Sequence, residues 1–181
     1  MQDPLRRVLF WVVGILAPMF KLLVVCMGNI CRSPMASAVL QAGLQRHGLQ
    51  DRLLVDSAGT YGGHQGELPD RRARQLAAQR GYPAIQTERA RRVTDEDFER
   101  CDLILAMDRH NLAALRERCP AAHALKLHLF LAYAGLGEAE VPDPYYGPPE
   151  GFEVVLDLCE RGADGVLQRL APLLDAPAQT R

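Results

Sequence analysis

The sequence predicts an α/β fold: a single doubly wound domain whose four-stranded parallel sheet is flanked by helices in flavodoxin-like order. Three observations lead there. Short apolar runs rich in β-branched residues alternate with segments of helical periodicity. Those runs carry few polar residues, as strands covered on both faces do. The length of 181 residues suits one hydrophobic core, and no internal repeat, low-complexity tract or linker divides the chain.

The elements follow in order. Residues 1–19 read as a hydrophobic extension, because Val8 to Phe20 is uncharged and follows the basic pair Arg6–Arg7. That pattern is shared by an export signal, a membrane-tethering helix, and untranslated or dispensable sequence ahead of a start at Met19. The last is favoured, since a span of about 20 residues would consume the first strand. Residues 20–175 form the expected domain, and 176–181 a tail. KLLVVC (21–26) reads as a buried strand, and PMASAVLQAGLQRHG (34–48) as a helix stopped by Gly48. RLLVDSAG (52–59) is a second strand running into a turn, followed by a glycine-rich loop from Tyr61 to Gly66. DRRARQLAAQRG (70–81) is a helix with an arginine-rich outer face. TDEDFERC (94–101) is a short helix capped by Thr94, with Asp97 three residues on. DLILAM (102–107) is the third strand and DRHNLAALRERC (108–119) the helix after it. ALKLHLFLA (124–132) alternates as a fourth strand; VPDPYYGPPEG (141–151) is a Pro/Gly-rich loop, and residues 152–174 form a closing helix.

Composition excludes some classes of function. A net charge of −1 with 24% charged residues gives no general attraction to nucleic acid or to a membrane surface. Anion specificity must then come from a local site. Cys26, Cys31, Cys101, Cys119 and Cys159 are dispersed and odd in number, which disfavours a disulfide framework. No CxxC pair supports a zinc site, and neither a metal nor an organic cofactor is expected.

The chemistry concentrates in CMGNICRSP, residues 26–34. A strand ends at Cys26, where ligands bind in open α/β sheets. Gly28 permits positive φ and Asn29 tolerates the left-handed region, so the loop can curl its N–H groups into an anion nest. Ser33 fits a helix N-cap and Pro34 the first helical position, adding partial positive charge. Arg32 offers planar donors for two oxygens of a tetrahedral oxyanion. Such surroundings bring cysteine thiols from about 8.5 into roughly the 3.5–7.5 range. Cys26 therefore reads as a nucleophile rather than a metal ligand, a disulfide partner or a core residue. A nucleotide-binding P-loop is excluded because no Gly-Lys pair occurs.

CMGNICRSP resembles the signature loop of the low-molecular-weight protein tyrosine phosphatases. VDSAGT (55–60), RARRVTDEDF (89–98), DLILAMDRHNL (102–112) and DPYYG (143–147) follow in the family's order and spacing. The resemblance implies a phosphocysteine intermediate on Cys26, with Arg32 holding the equatorial phosphoryl oxygens. It implies that Met27, Gly28, Asn29, Ile30, Cys31 and Ser33 wrap the phosphate, Ser33 also bonding the thiolate. Asn29 with Ser57 braces the loop. Asp143 serves as general acid and then base; without the resemblance, Asp143 in an Asp-Pro pair reads as a turn residue. Tyr145 and Tyr146 line the entrance. Asp108 is where interior hydrogen bonds converge, or a helix N-cap. Cys31 pairs reversibly with Cys26 under oxidation. Two positions depart from the family: Gly63 precedes His64 where an aromatic is common, leaving Tyr61 to supply that wall, and Glu88 replaces a loop-supporting histidine.

The expected partners are tyrosine-phosphorylated proteins, for a cytoplasmic monomer or weak dimer that neither inserts stably into membranes nor binds nucleic acid. Rival readings are a phosphoarginine phosphatase, disfavoured by Ile30 where that branch resembles threonine, and an arsenate reductase. The latter needs two further cysteines, and Cys101 and Cys119 are not closely spaced. A non-catalytic phosphopeptide-binding module is the remaining class; it would lack the nucleophile or the acid.

Overall fold

The computed structural model describes residues 19–175. The readings for residues 1–18 and for the tail 176–181 lie outside the described residues. β1 (Phe20–Cys26) pairs in parallel with β2 (Leu53–Gly59) on one side and β3 (Leu103–Ala106) on the other. β4 (Leu127–Leu129) extends the sheet beyond β3, giving the order β2-β1-β3-β4. This is the doubly wound parallel sheet expected from the sequence.

β1 is central, so both of its faces are covered, and the period of two sorts its side chains. Leu22, Val24 and Cys26 face one hydrophobic cluster, while Leu23 and Val25 face the other. The first cluster is closed by α1 (Arg32–Gly43) and α6 (Glu150–Asp175). The second is closed by Phe98 of α3 (Asp95–Arg100) and by Leu112 and Leu115 of α4 (Arg109–Arg118). The first cluster also takes in Ala73 and Ala77 of α2 (Arg71–Gln79), Ile85 of the 3-10 segment Pro83–Thr87, and Phe130 and Leu131 of the short α5 (Phe130–Tyr133). Thr94 caps α3 in a full capping box with Asp97, as its spacing predicts.

Three expectations need correction. The fourth strand is only Leu127–Leu129; Ala121–Lys126 is a 3-10 turn and Phe130–Tyr133 is helical. The cause is local. Leu129, Phe130 and Leu131 are all buried in succession, which a strand with one covered face cannot arrange. The second correction concerns α1, whose first residue is Arg32 and whose N-cap position is Cys31. Ser33 and Pro34 fall inside the first turn, and no side chain caps the helix. Third, the left-handed residue of the loop is Asn29, at φ 55°, and not Gly28.

The β1–β2 register sets Cys26 beside Gly59. Backbone bonds then pin the loop to this edge: Thr60 N donates to Cys26 O and Tyr61 N to Met27 O, both at 2.9 Å. The approach requires glycine, because a Cβ on residue 59 would sit 2.5 Å from Met27 O and 3.1 Å from Asn29 N. Neither contact is the flexible end of a side chain. Gly59→Ala should therefore lower stability by about 1–3 kcal/mol, as overpacking does. Guanidinium unfolding should show this loss, while Gly147→Ala, whose Cβ would lie 3.7 Å from Pro144 O, should unfold close to the wild-type midpoint.

Candidate active site

The site lies where β1 stops. Past Cys26 the chain must reverse into α1, and it does so through Asn29. A left-handed, non-glycine residue costs about 1 kcal/mol and needs local support. The Asn29 carboxamide supplies it. Its Oδ1 accepts from Arg91 N at 2.9 Å, and its Nδ2 donates to Ser33 Oγ at 2.9 Å and Ser57 Oγ at 2.8 Å. The Asn29 side chain thus joins the loop, α1 and β2 inside a buried shell.

The Cys26 thiol points into the ring so formed. Asn29 N donates to Sγ at 3.3 Å, and Ser33 Oγ lies 3.1 Å from Sγ. The Ser33 hydroxyl has two acceptors, Cys26 Sγ and Ala58 O, the latter at 3.3 Å. A thiolate draws that proton toward sulfur, because charge-assisted bonds are the stronger. A thiol can instead donate to Ser33, whose proton then turns to Ala58 O. One hydroxyl thus serves both protonation states.

Arg32 is 3% exposed. Its Nη1 donates to Asp108 Oδ2 at 2.5 Å and to Val141 O at 3.3 Å; its Nη2 donates to Asp143 Oδ2 at 3.1 Å. Burial alone would push the guanidinium down, but the charges of Cys26, Asp143 and Asp108 and the Asp108 hydrogen bond hold it above the ordinary arginine value. Both sequence readings of Asp108 hold together. Its Oδ1 accepts from Asn111 N at 2.7 Å and caps α4, while Oδ2 takes Arg32.

Cys26, Met27, Gly28, Ile30, Cys31, Arg32, His64, Asp143, Tyr145 and Tyr146 line one cavity of about 90 Å³. Of the residues expected from the sequence, Asn29, Ser33 and Ser57 lie behind it and Asp108 beside it. A wider hollow of about 430 Å³, lined in part by Arg116, His128 and Arg169, contains no cysteine. Gly28 lets His64 approach, since a Cβ there would stand 3.2 Å from the imidazole. Tyr145 and Tyr146 meet edge to face at 4.8 Å, with Tyr146 almost fully exposed. Tyr61 does not line the cavity. Its ring covers Gly63, where a Cβ would come within 2.1 Å of it. Gly63 leaves room for the Tyr61 ring, which does not reach the pocket, and His64 forms that wall.

Several supporting groups escape sequence reading. Arg72, read only as part of an arginine-rich face, stacks 4.5 Å above the Phe152 ring and donates to Tyr145 O at 3.1 Å. No local pattern separates it from its neighbours in α2. The Val141 carbonyl and the Arg91 amide are backbone groups, which residue identity does not reveal. Burial pushes the thiols of Cys31 and Cys159 above the ordinary cysteine value, so both are protonated near neutrality. Glu88 accepts from Ser57 Oγ at 2.9 Å through Oε2. Burial raises this carboxyl to about 7.

Known proteins resemble this chain over most of its length. The family model for low molecular weight phosphotyrosine protein phosphatase matches residues 21–173. A low molecular weight protein-tyrosine-phosphatase of Streptomyces coelicolor is 42% identical over 153 residues, covering 82% of this chain and 92% of that protein. The human low molecular weight phosphotyrosine protein phosphatase is 36% identical over 149 residues, covering 81% and 93%. The crystal structure of a protein tyrosine phosphatase from Entamoeba histolytica superposes with a TM-score of 0.79 at 39% identity, covering 83% of this chain and 96% of that one. Sequence, fold and loop geometry lead to one conclusion: the chain belongs to the low molecular weight phosphotyrosine protein phosphatase family.

Proposed function

We propose that the chain hydrolyses phosphotyrosine in proteins through a phosphocysteine intermediate. The observation that carries this reading is the convergence of Cys26, Arg32 and Asp143 on one cavity walled by tyrosines. The Cys26 thiolate attacks phosphorus, forming the S–P bond as the ester P–O bond breaks. Asp143 gives its proton to the departing phenolate oxygen. The same carboxylate then takes a proton from water, which attacks phosphorus and displaces the thiolate. Ser33, 3.1 Å from Sγ, stabilises the sulfur each time it carries charge.

Arg32 serves the phosphoryl group through the face now turned to Asp143. Its Nη1 stays with Asp108, and Nη2 exchanges the half-exposed Asp143 carboxylate for phosphoryl oxygens. That exchange frees Asp143 from the cation, so that it takes up a proton from solvent and holds it for the leaving group. The helix start adds donors, since no side chain caps α1. Charge developing on the equatorial oxygens is met by groups already in place. Met27, Ile30 and the two tyrosines give an apolar wall suited to an aryl ester, and Ile30 favours this over a guanidine phosphate.

The positions of the other cysteines favour a phosphatase over a reductase. Cys101 and Cys119 pack with the cluster on the opposite sheet face from Cys26. Burial also pushes Cys101 up to about 11. A thiol relay from Cys26 has no route through them. We assign Cys31 a protective role in a reducing, cytoplasmic setting: when peroxide oxidises Cys26 to the sulfenic acid, the Cys31 thiol condenses with it, releasing water and leaving a reducible disulfide.

Asp143→Ala should cut turnover of phosphotyrosine about 10²–10⁴-fold while phosphate still binds. Cys26→Ser should abolish turnover and retain phosphoproteins from a lysate. An unchanged rate in Asp143→Ala removes that residue from the mechanism, and faster turnover of phosphoarginine or arsenate by the same sample replaces the substrate assignment. Activity lost to peroxide should return with dithiothreitol in the wild type and not in Cys31→Ser; full recovery in that variant refutes the protective role.

A further inference from the structure

The hollow of about 430 Å³ beside β4 plays no part in the mechanism. One stripe of α4 forms a wall of it, with Arg109 and Arg116 at the two ends. β4 brings His128, α5 brings Tyr133, and Arg169 reaches over from α6. Arg169 stacks 4.2 Å from the centre of the Tyr133 ring and donates to Tyr133 O at 3.1 Å, which holds it over the hollow. His128 Nε2 donates to Leu125 O at 3.0 Å, so the positive charge of the wall comes from the three arginines. Glu138 is the one carboxylate in the lining, and it pairs with Arg109, leaving Arg116 and Arg169 without an ion pair among the described residues. The buried side chains of Leu112, Leu127 and Leu129 make an apolar floor.

We propose that this hollow is a regulatory site for a small organic phosphate the size of a nucleoside diphosphate, and that Arg109 carries its occupancy to Asp143. Guanidinium groups without carboxylates suit phosphate, which each can grip through two N–H groups. An inorganic anion would leave the apolar floor and most of the volume unused, whereas cavities of about 300–1,000 Å³ take small organic ligands. An acidic peptide would be matched by cations strung along a surface, and these are gathered from three elements into one concavity.

Arg109 belongs both to the hollow and to the segment that leads to Asp143. Its Nη1 donates to Glu140 Oε1 at 2.7 Å, and its Nη2 donates to Glu138 O at 3.0 Å and to Glu138 Oε2 at 3.2 Å. Its backbone N donates to Glu140 Oε1 at 3.2 Å. From Gly135 to Pro149 the chain contains neither helix nor strand, so such side-chain bonds hold it in place. The next anchor is Val141 N, which donates to Met107 O at 2.9 Å, and Asp143 follows two residues later. A phosphate in the hollow competes with Glu138 and Glu140 for the Arg109 donors. Glu138, 81% exposed, turns to water once released. The ligand therefore binds more tightly when Arg109 has let the segment go, which is the differential affinity that coupling requires. The coupling rests on the reading of Asp143 as the general acid; the binding does not.

The test uses the isotope-labelled full chain and uridine diphosphate. Amide resonances of α4 and β4 should shift on a saturable curve of their own, separate from any response of residues 27–32. With p-nitrophenyl phosphate at saturation, uridine diphosphate should lower kcat about two- to fivefold, the worth of an exposed ion pair. Competition at the Arg32 loop would raise KM alone. The double variant Arg116→Ala with Arg169→Ala should keep the basal kcat and lose both responses. If it does not fold, Arg116→Glu, at an exposed position of α4, decides alone. Hollow amides that do not shift, or that shift as much in the variant, overturn the proposal, as does an unaltered kcat with the hollow saturated. Pyrophosphate binding there as tightly as uridine diphosphate overturns the assignment to an organic phosphate. Hollow shifts in a protein that never turns over aryl phosphate refute the phosphatase reading and leave the binding site standing.

Discussion

The site depends on the Asn29 side chain. Its residue sits in the left-handed region, at φ 55°, where glycine is the usual occupant. Glycine would remove the strain and the brace together. The carboxamide uses both protons and its oxygen within the protein, tying the loop to α1, to β2 and to the segment at Arg91. These three connections stop the chain from relaxing out of the reversal. Because the reversal is fixed, Cys26 ends the central strand, Arg32 begins the helix, and both face the same volume. Buried polar networks specify geometry well when every member is satisfied. This one is satisfied at each position except its far end, Oε1 of Glu88.

Much of this was legible because it follows from local rules. β1 is a run of apolar residues that only a doubly covered strand can use, and it occupies Phe20–Cys26. The Thr94–Asp97 spacing specifies a capping box independently of the rest of the fold. Asp108 presented two readings because it has two oxygens, and the structure gives one to each. The failures share a cause as well. Ser33 has the sequence signature of an N-cap, but its hydroxyl meets the thiol, a neighbour defined by the loop's curl. Gly28 has the freedom for positive φ, yet its lack of a side chain serves the approach of His64. For Glu88, an acidic residue in a polar stretch gives no local sign of burial. Its environment is assembled by β2 and α1, which lie far away in sequence.

Arg32 resolves a conflict between burial and recognition. A buried guanidinium needs compensating charge, but one fully neutralised by a rigid partner would offer little to an incoming anion. The two carboxylates are therefore unequal. Asp108 is fixed by the start of α4, is 16% exposed and lies 2.5 Å from Nη1. Asp143 stands in a Pro-flanked loop, is 49% exposed and lies at 3.1 Å from Nη2. Solvent weakens the second pair far more than the first. The guanidinium is planar, so anchoring Nη1 on Asp108 and Val141 O sets the direction in which Nη2 points. One side of the cation completes the fold and the other remains exchangeable. On the proposed reading, a net charge of −1 on the whole chain is no obstacle to a phosphoryl group, because its attraction comes from a desolvated cation and an uncapped helix start at one small cavity.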